Sequence, residues 1–100
     1  MNPVSTKMIL VHLSGHLKDF TGRRRTVEVP GSSLGSVVAL VQYLDEQFPG
    51  IQDRIFDEQD HTRTYVNIFV NGEDIRIGDH ENTTLKEGDK VHILPSVAGG

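Results

Sequence analysis

Leu34-Gly35-Ser36-Val37-Val38-Ala39-Leu40-Val41-Gln42-Tyr43-Leu44-Asp45-Glu46-Gln47-Phe48-Pro49-Gly50 is the stretch on which the fold turns. Leu34, Val37, Val41, Leu44 and Phe48 recur at steps of three and four, which puts them on one stripe of a helix. Ser32-Ser33 offers an N-cap before the stripe, and Pro49-Gly50 ends it. Burying each large apolar side chain contributes on the order of 1.5–3 kcal/mol, so the stripe is core material that drives folding. It is not a cofactor-binding surface.

Before the helix, Met8-Ile9-Leu10-Val11-His12-Leu13 reads as a strand with Ile9, Val11 and Leu13 on one face and Leu10 and His12 on the other. A polar turn containing Thr21-Gly22 separates it from Thr26-Val27-Glu28-Val29, which alternates and stops at Pro30-Gly31. The two runs predict an antiparallel hairpin, with Arg23-Arg24-Arg25 in its solvated turn. After the helix, residues 51–63 read as an irregular polar loop anchored by Ile51, Ile55 and Phe56, with Asp57-Glu58-Gln59-Asp60 at its surface. Thr64 to Val70 alternates strictly, and Asn71-Gly72 is a strong hairpin signal. Glu73 to Arg76 continues as a short return strand. Gly88 supplies positive φ in the turn before a last strand, where Val91 and Ile93 face the core and His92 and Leu94 face out.

Hairpin, helix, loop, strand pair and final strand are satisfied together by one arrangement. A mixed sheet of four to five strands, first and last in the middle, carries one main helix packed across one face. That is an α+β chain of the β-grasp, or ubiquitin-like, kind. Residues 1–94 form its single domain, and residues 95–100 a flexible C-terminal tail ending in Gly-Gly. Pro95 has no N–H for a ladder, so the strand is expected to stop at Leu94 and the chain to leave the body there. Gly99 and Gly100 carry no side chain, which suits a narrow channel and leaves the terminal carboxylate unhindered.

The totals limit the chemistry. One hundred residues, 36% hydrophobic and 24% charged, suit one soluble globular domain. The absence of cysteine removes disulfides, thiolate metal sites and thiol nucleophiles. A net charge of −4 argues against nucleic acid as a partner. Neither a secretory signal nor an apolar run of membrane-spanning length is evident, so the expected location is cytoplasmic, with no membrane partner. His12 and His16 fall on a strand and its turn, and His61, His80 and His92 are dispersed, so no metal site is expected. Asp57 to Asp60 belongs to a solvated loop, not an acid–base pair.

From Met8 onward, the sequence resembles the small sulfur carriers of the MoaD/ThiS family. The likeness rests on Tyr65-Val66-Asn67-Ile68-Phe69-Val70-Asn71-Gly72-Glu73-Asp74-Ile75-Arg76, on Lys86 to Val91, and most specifically on Leu94-Pro95-Ser96-Val97-Ala98-Gly99-Gly100. The long middle loop and the Val-Asn-Ile-Phe-Val-Asn run resemble the CysO-like subgroup, which supplies sulfur for cysteine synthesis. The resemblance implies a carrier with no catalysis of its own. An E1-like adenylyltransferase of the MoeB/ThiF type would use ATP to activate the Gly100 carboxylate, and a sulfur donor would convert it to a thiocarboxylate. Gly100 is then the reacting residue, and Pro95, Ser96, Val97, Ala98 and Gly99 form the tail that enters the partner's channel. No cofactor is expected to stay bound. Further implied partners are a sulfur-accepting enzyme, such as a cysteine synthase or the large subunit of molybdopterin synthase, and a metalloprotease that processes the tail.

A mobile tail alone gives little specificity, so a docking surface is also expected. Leu10, Tyr65, Phe69 and Leu94, on the open sheet face, form the candidate patch. Two other readings share the same residues: the small subunit of molybdopterin synthase, and a ubiquitin-like modifier conjugated to lysines through Gly100. A purely structural β-grasp module leaves the tail without a purpose.

Overall fold

The computed structural model describes residues 8–31 and 35–95. Among these, β1 (Met8–Leu13), β2 (Thr26–Pro30), β3 (Val66–Val70), β4 (Glu73–Asp74) and β5 (Lys90–Pro95) form one sheet in the order β2-β1-β5-β3-β4. β1 and β5 run parallel, and the other neighbours are antiparallel. Helix α1 (Val37–Gln47) packs on one face, and the short helix α2 (Ile51–Ile55) follows it. This is the expected β-grasp arrangement, with the first and last strands adjacent inside the sheet.

The alternation seen in the sequence is the alternation of burial. Ile9, Val11, Val29, Val66, Ile68, Val91 and Ile93 are fully buried from the sheet side, and Val37, Leu40, Val41 and Leu44 from α1. Tyr43, Phe48 and Val70 pack at the margin of the same cluster. Asn71 and Gly72 have φ of 52° and 87°, the two positive values that a type I′ hairpin turn requires. Gly88, at 91°, makes the expected turn before β5.

Several local expectations are corrected. The helix N-cap is Ser36, not Ser32-Ser33, which together with Leu34 lie outside the described residues. Ser36 is extended, and its Oγ accepts from Ala39 N at 3.3 Å. The chain on either side of it is fixed to residues 83–85: Val37 N donates to Thr83 O at 3.1 Å and Leu85 N to Gly35 O at 3.2 Å. That stitching keeps residues 35–36 extended and starts the helix at Val37. The polar turn after β1 contains a 3-10 segment, Gly15–Thr21, which buries Leu17. The 51–63 loop begins with α2, whose first amides are capped by Asp45: Gly50 N and Gln52 N both donate to its Oδ1, at 3.0 and 3.1 Å. Ile51, Ile55 and Phe56 are buried, as expected of its anchors. The return strand is only Glu73–Asp74. Asp74 Oδ1 then accepts from Arg76 N at 2.8 Å and turns Ile75–Ile77 into a 3-10 segment.

Candidate functional site

The expected tail leaves from the end of β5. That strand runs one residue past Leu94 and includes Pro95, opposite Val66. Asn71 N donates to Lys90 O at 2.7 Å, so residues 71 and 90 form a hydrogen-bonded pair. Counting along the antiparallel ladder, Val66 and Pro95 fall at a non-bonded pair, where β3 needs no N–H from the proline. The proline therefore ends the strand without breaking its pairing. Gly15, with φ of +63°, sits against this point: a Cβ there would come within 3.0 Å of Pro95 Cγ. Ser96, Val97, Ala98, Gly99 and Gly100 lie outside the described residues.

The open sheet face is built by the outward positions of β1, β5 and β3. Leu10 lies between Glu28 and Lys90, Phe69 beside His92, and Leu94 beside Asn67. All three apolar residues are half-buried. At the centre of the face is a pair that the sequence did not single out. His12 and His92 are in register across the parallel strands, with ring centroids 5.9 Å apart in an edge-on arrangement. Ser14 Oγ lies 2.9 Å from His92 Nε2, and Thr26 Oγ1 lies 3.4 Å from His12 Nδ1. Leu10, Phe69 and Leu94 thus frame a polar imidazole pair instead of forming one apolar patch. The strand expected from Thr64 begins instead at Val66, so Tyr65 occupies the preceding turn, with 38% of its surface exposed. Ile77 is the most exposed large apolar side chain among the described residues, at 75%, and the sequence reading did not single it out. It falls just past the expected return strand, Glu73 to Arg76, so no face was assigned to it.

The loop carboxylates are structural. Hydrogen bonds from the His61 and Gln59 amides hold the Asp57 carboxyl below its ordinary range. For Glu81, partial burial pushes the pKa up, but donors from Thr62 outweigh it, and the net shift is downward. Thr62 N and Oγ1 reach Glu81 Oε2 at 2.6 and 2.7 Å. Arg76 completes the stitching, donating to Asn67 Oδ1, Arg63 O and Val66 O at 3.0, 3.1 and 2.6 Å. These carboxylates are held ionised by donors that fix the loop, which is not the poise of a proton-transfer group. Among the described residues no three His, Cys, Asp or Glu side chains gather as metal ligands would. Nor is any helix there long and apolar enough to cross a membrane.

Comparison with known proteins points in one direction. The model of the ThiS family matches residues 11–100. The sulfur carrier protein CysO of Mycobacterium tuberculosis is 35% identical over 94 residues, covering 92% of this chain and 98% of that protein. In structure, the chain superposes with a TM-score of 0.81 on a chain of the Amycolatopsis orientalis BexX/CysO complex, at 29% identity, covering 92% of this chain and 99% of the other. Small archaeal modifier protein 1 of Methanosarcina acetivorans gives a TM-score of 0.77 at 27% identity, with 93% and 96% covered. The family match takes in all of the β-grasp body after Leu10 and runs through Gly99-Gly100, and on that basis the chain belongs to the ThiS family.

Proposed function

We propose that this protein is a sulfur carrier that works through its C-terminal carboxylate and has no catalytic activity of its own. The observation that carries the reading is the ThiS match through residue 100, together with the likeness to a sulfur carrier over nearly the whole length of both chains. The Gly100 carboxylate attacks the α-phosphorus of ATP within an E1-like adenylyltransferase, and pyrophosphate leaves. Sulfur at the oxidation level of sulfide then attacks the acyl carbon of the mixed anhydride, the acyl C–O bond to AMP breaks, and a thiocarboxylate remains. That group is a soft, anionic sulfur nucleophile, comparable to a cysteine thiolate. ATP is thus a substrate of the partner and not a group resident on this chain.

The chain's own contribution is positioning. Pro95, the last residue of β5 and paired with Val66, stands where the tail begins, and glycines at both terminal positions leave the reacting carbonyl unhindered. Leu10, Phe69 and Leu94, around the His12–His92 pair, provide the surface on which the activating and accepting enzymes dock. The sulfur acceptor is an enzyme of cysteine synthesis or a related pathway, and the site of action is the cytoplasm. A processing metalloprotease belongs to the same scheme. The likeness to an archaeal modifier protein supports a second reading, in which the activated Gly100 forms isopeptide bonds with lysines.

Deletion of Gly100 tests the first reading. Incubated with ATP, sulfide and an E1-like enzyme, the truncated protein should acquire no thiocarboxylate. Its unfolding midpoint should match that of the full chain, because the buried core among the described residues ends at Ile93. Unchanged loading of the truncated protein would refute the proposal, and lysine-linked adducts of the full chain would favour the modifier.

A further inference from the structure

β2 lies at an edge of the sheet. Leu13 N donates to Arg25 O at 2.7 Å, so residue 25, and by alternation Val27 and Val29, direct their backbone groups toward β1. The N–H and C=O groups of Thr26 and Glu28 therefore point outward, an open template for an extended chain. Pro30 has no N–H and limits the template at its far end. Beside this edge runs a groove with Thr26, Val27 and Glu28 on the strand side and Tyr43, Gln47 and Phe48 on the α1 side. Tyr43 and Phe48 pack on the core yet stay partly accessible, so the groove has an aromatic wall.

The arginine run left unused by the tail chemistry stands at the start of this strand. Arg24 lies over the Phe48 ring at 5.6 Å from its centroid, and its Nε donates to Thr21 O at 3.1 Å. Its guanidinium is thus held at the groove's mouth, with exposed Arg23 and Arg25 on either side in sequence. Among the described residues, the run's ion pairing consists of Arg23 with Asp19 at 3.8 Å, both side chains largely in solvent. Such a pair is weak and readily exchanged.

We propose that the β2 edge and its groove dock an extended apolar segment with an acidic end, belonging to a partner protein, as an added outer strand. Charge selects this occupant: carboxylates at the arginine end meet three guanidinium groups. Glu28, on the open-face side of the strand, disfavours an acid opposite itself. Alternate apolar side chains fill the Tyr43–Phe48 side, and main-chain bonds to Thr26 and Glu28 supply the rest. β1 separates β2 from β5, so this edge is distinct from the root of the tail.

The test uses the isotope-labelled full chain and a capped synthetic peptide, Asp-Asp-Val-Thr-Val-Thr-Val. Titration should shift the amides of residues 26–29 and 43–48 and slow hydrogen exchange at Thr26 and Glu28. Joint Arg24→Glu and Arg25→Glu substitution should weaken binding about tenfold or more. A peptide N-methylated at alternate backbone positions should not bind the unaltered protein, a control that does not depend on any variant folding. Absence of shifts, shifts confined to Leu10, Phe69 and His92, or binding indifferent to both charge reversal and N-methylation would overturn the proposal. Shifts at the same edge that grow with protein concentration alone would overturn it too, assigning the edge to a second copy of the chain.

Discussion

Gly15 is the residue through which local backbone geometry reaches the root of the tail. Its φ of +63° is a conformation that costs an L-residue roughly 1–2 kcal/mol, and its missing Cβ leaves room for Pro95. Gly22, at +66°, has the same backbone conformation but open space where a Cβ would go. Gly15→Ala should therefore destabilise the fold more than Gly22→Ala in urea unfolding, by up to about 1–3 kcal/mol in total. Equal losses would show that the contact with Pro95 carries nothing. Glu81 makes a second prediction at this scale. Its folded pKa is lowered, so its contribution is fully present above the ordinary value of 4.5 and disappears as pH falls through the lowered one. Between about pH 6 and about pH 3, the native protein should lose more stability than Glu81→Gln, by a fraction of a kcal/mol, since the site is partly exposed. Thermal melts across that range decide it, and parallel curves would contradict it. Neither role was legible beforehand, because each depends on a partner distant in sequence, Pro95 for Gly15 and Thr62 for Glu81.

Among the elements, the helix stripe was legible because Val37, Val41 and Leu44 repeat at helical spacing and are fully buried together. Its beginning was not, because Ser36 acts as N-cap only once residues 83–85 hold Gly35 and Ser36 extended. Ser36→Ala should cost about 0.5–2 kcal/mol, measured by denaturant unfolding. Leu40 was left out of the stripe although it is fully buried, and Leu40→Ala should cost about 2–5 kcal/mol. A cost for Leu40→Ala no larger than for an exposed position would contradict the packing described. Helix α2 stayed hidden because five residues are too few to display a period, and its cap, Asp45, lies on the preceding helix. β4 was overestimated because Asp74 turns the chain through a side-chain acceptor that alternation does not register.

At the scale of the whole molecule, turn chemistry carried much of the topology. Asn71-Gly72 and Gly88 sit where the hairpin and the last turn require them. The parallel register of β1 and β5 is written in neither strand alone, which is why the His12–His92 pair at the centre of the open face went unseen. The tail, read as chemistry from its small residues and the Gly100 carboxylate, lies beyond the described residues after Pro95. Whether the Gly100 carboxylate carries sulfur is decided by the intact mass of the protein purified from its own cells. A fraction of the molecules should be heavier by one sulfur-for-oxygen exchange, localised to the terminal peptide and lost on incubation with a sulfur-accepting enzyme. A terminal peptide that stays an unmodified carboxylate, even after incubation with ATP, sulfide and an E1-like adenylyltransferase, would contradict it.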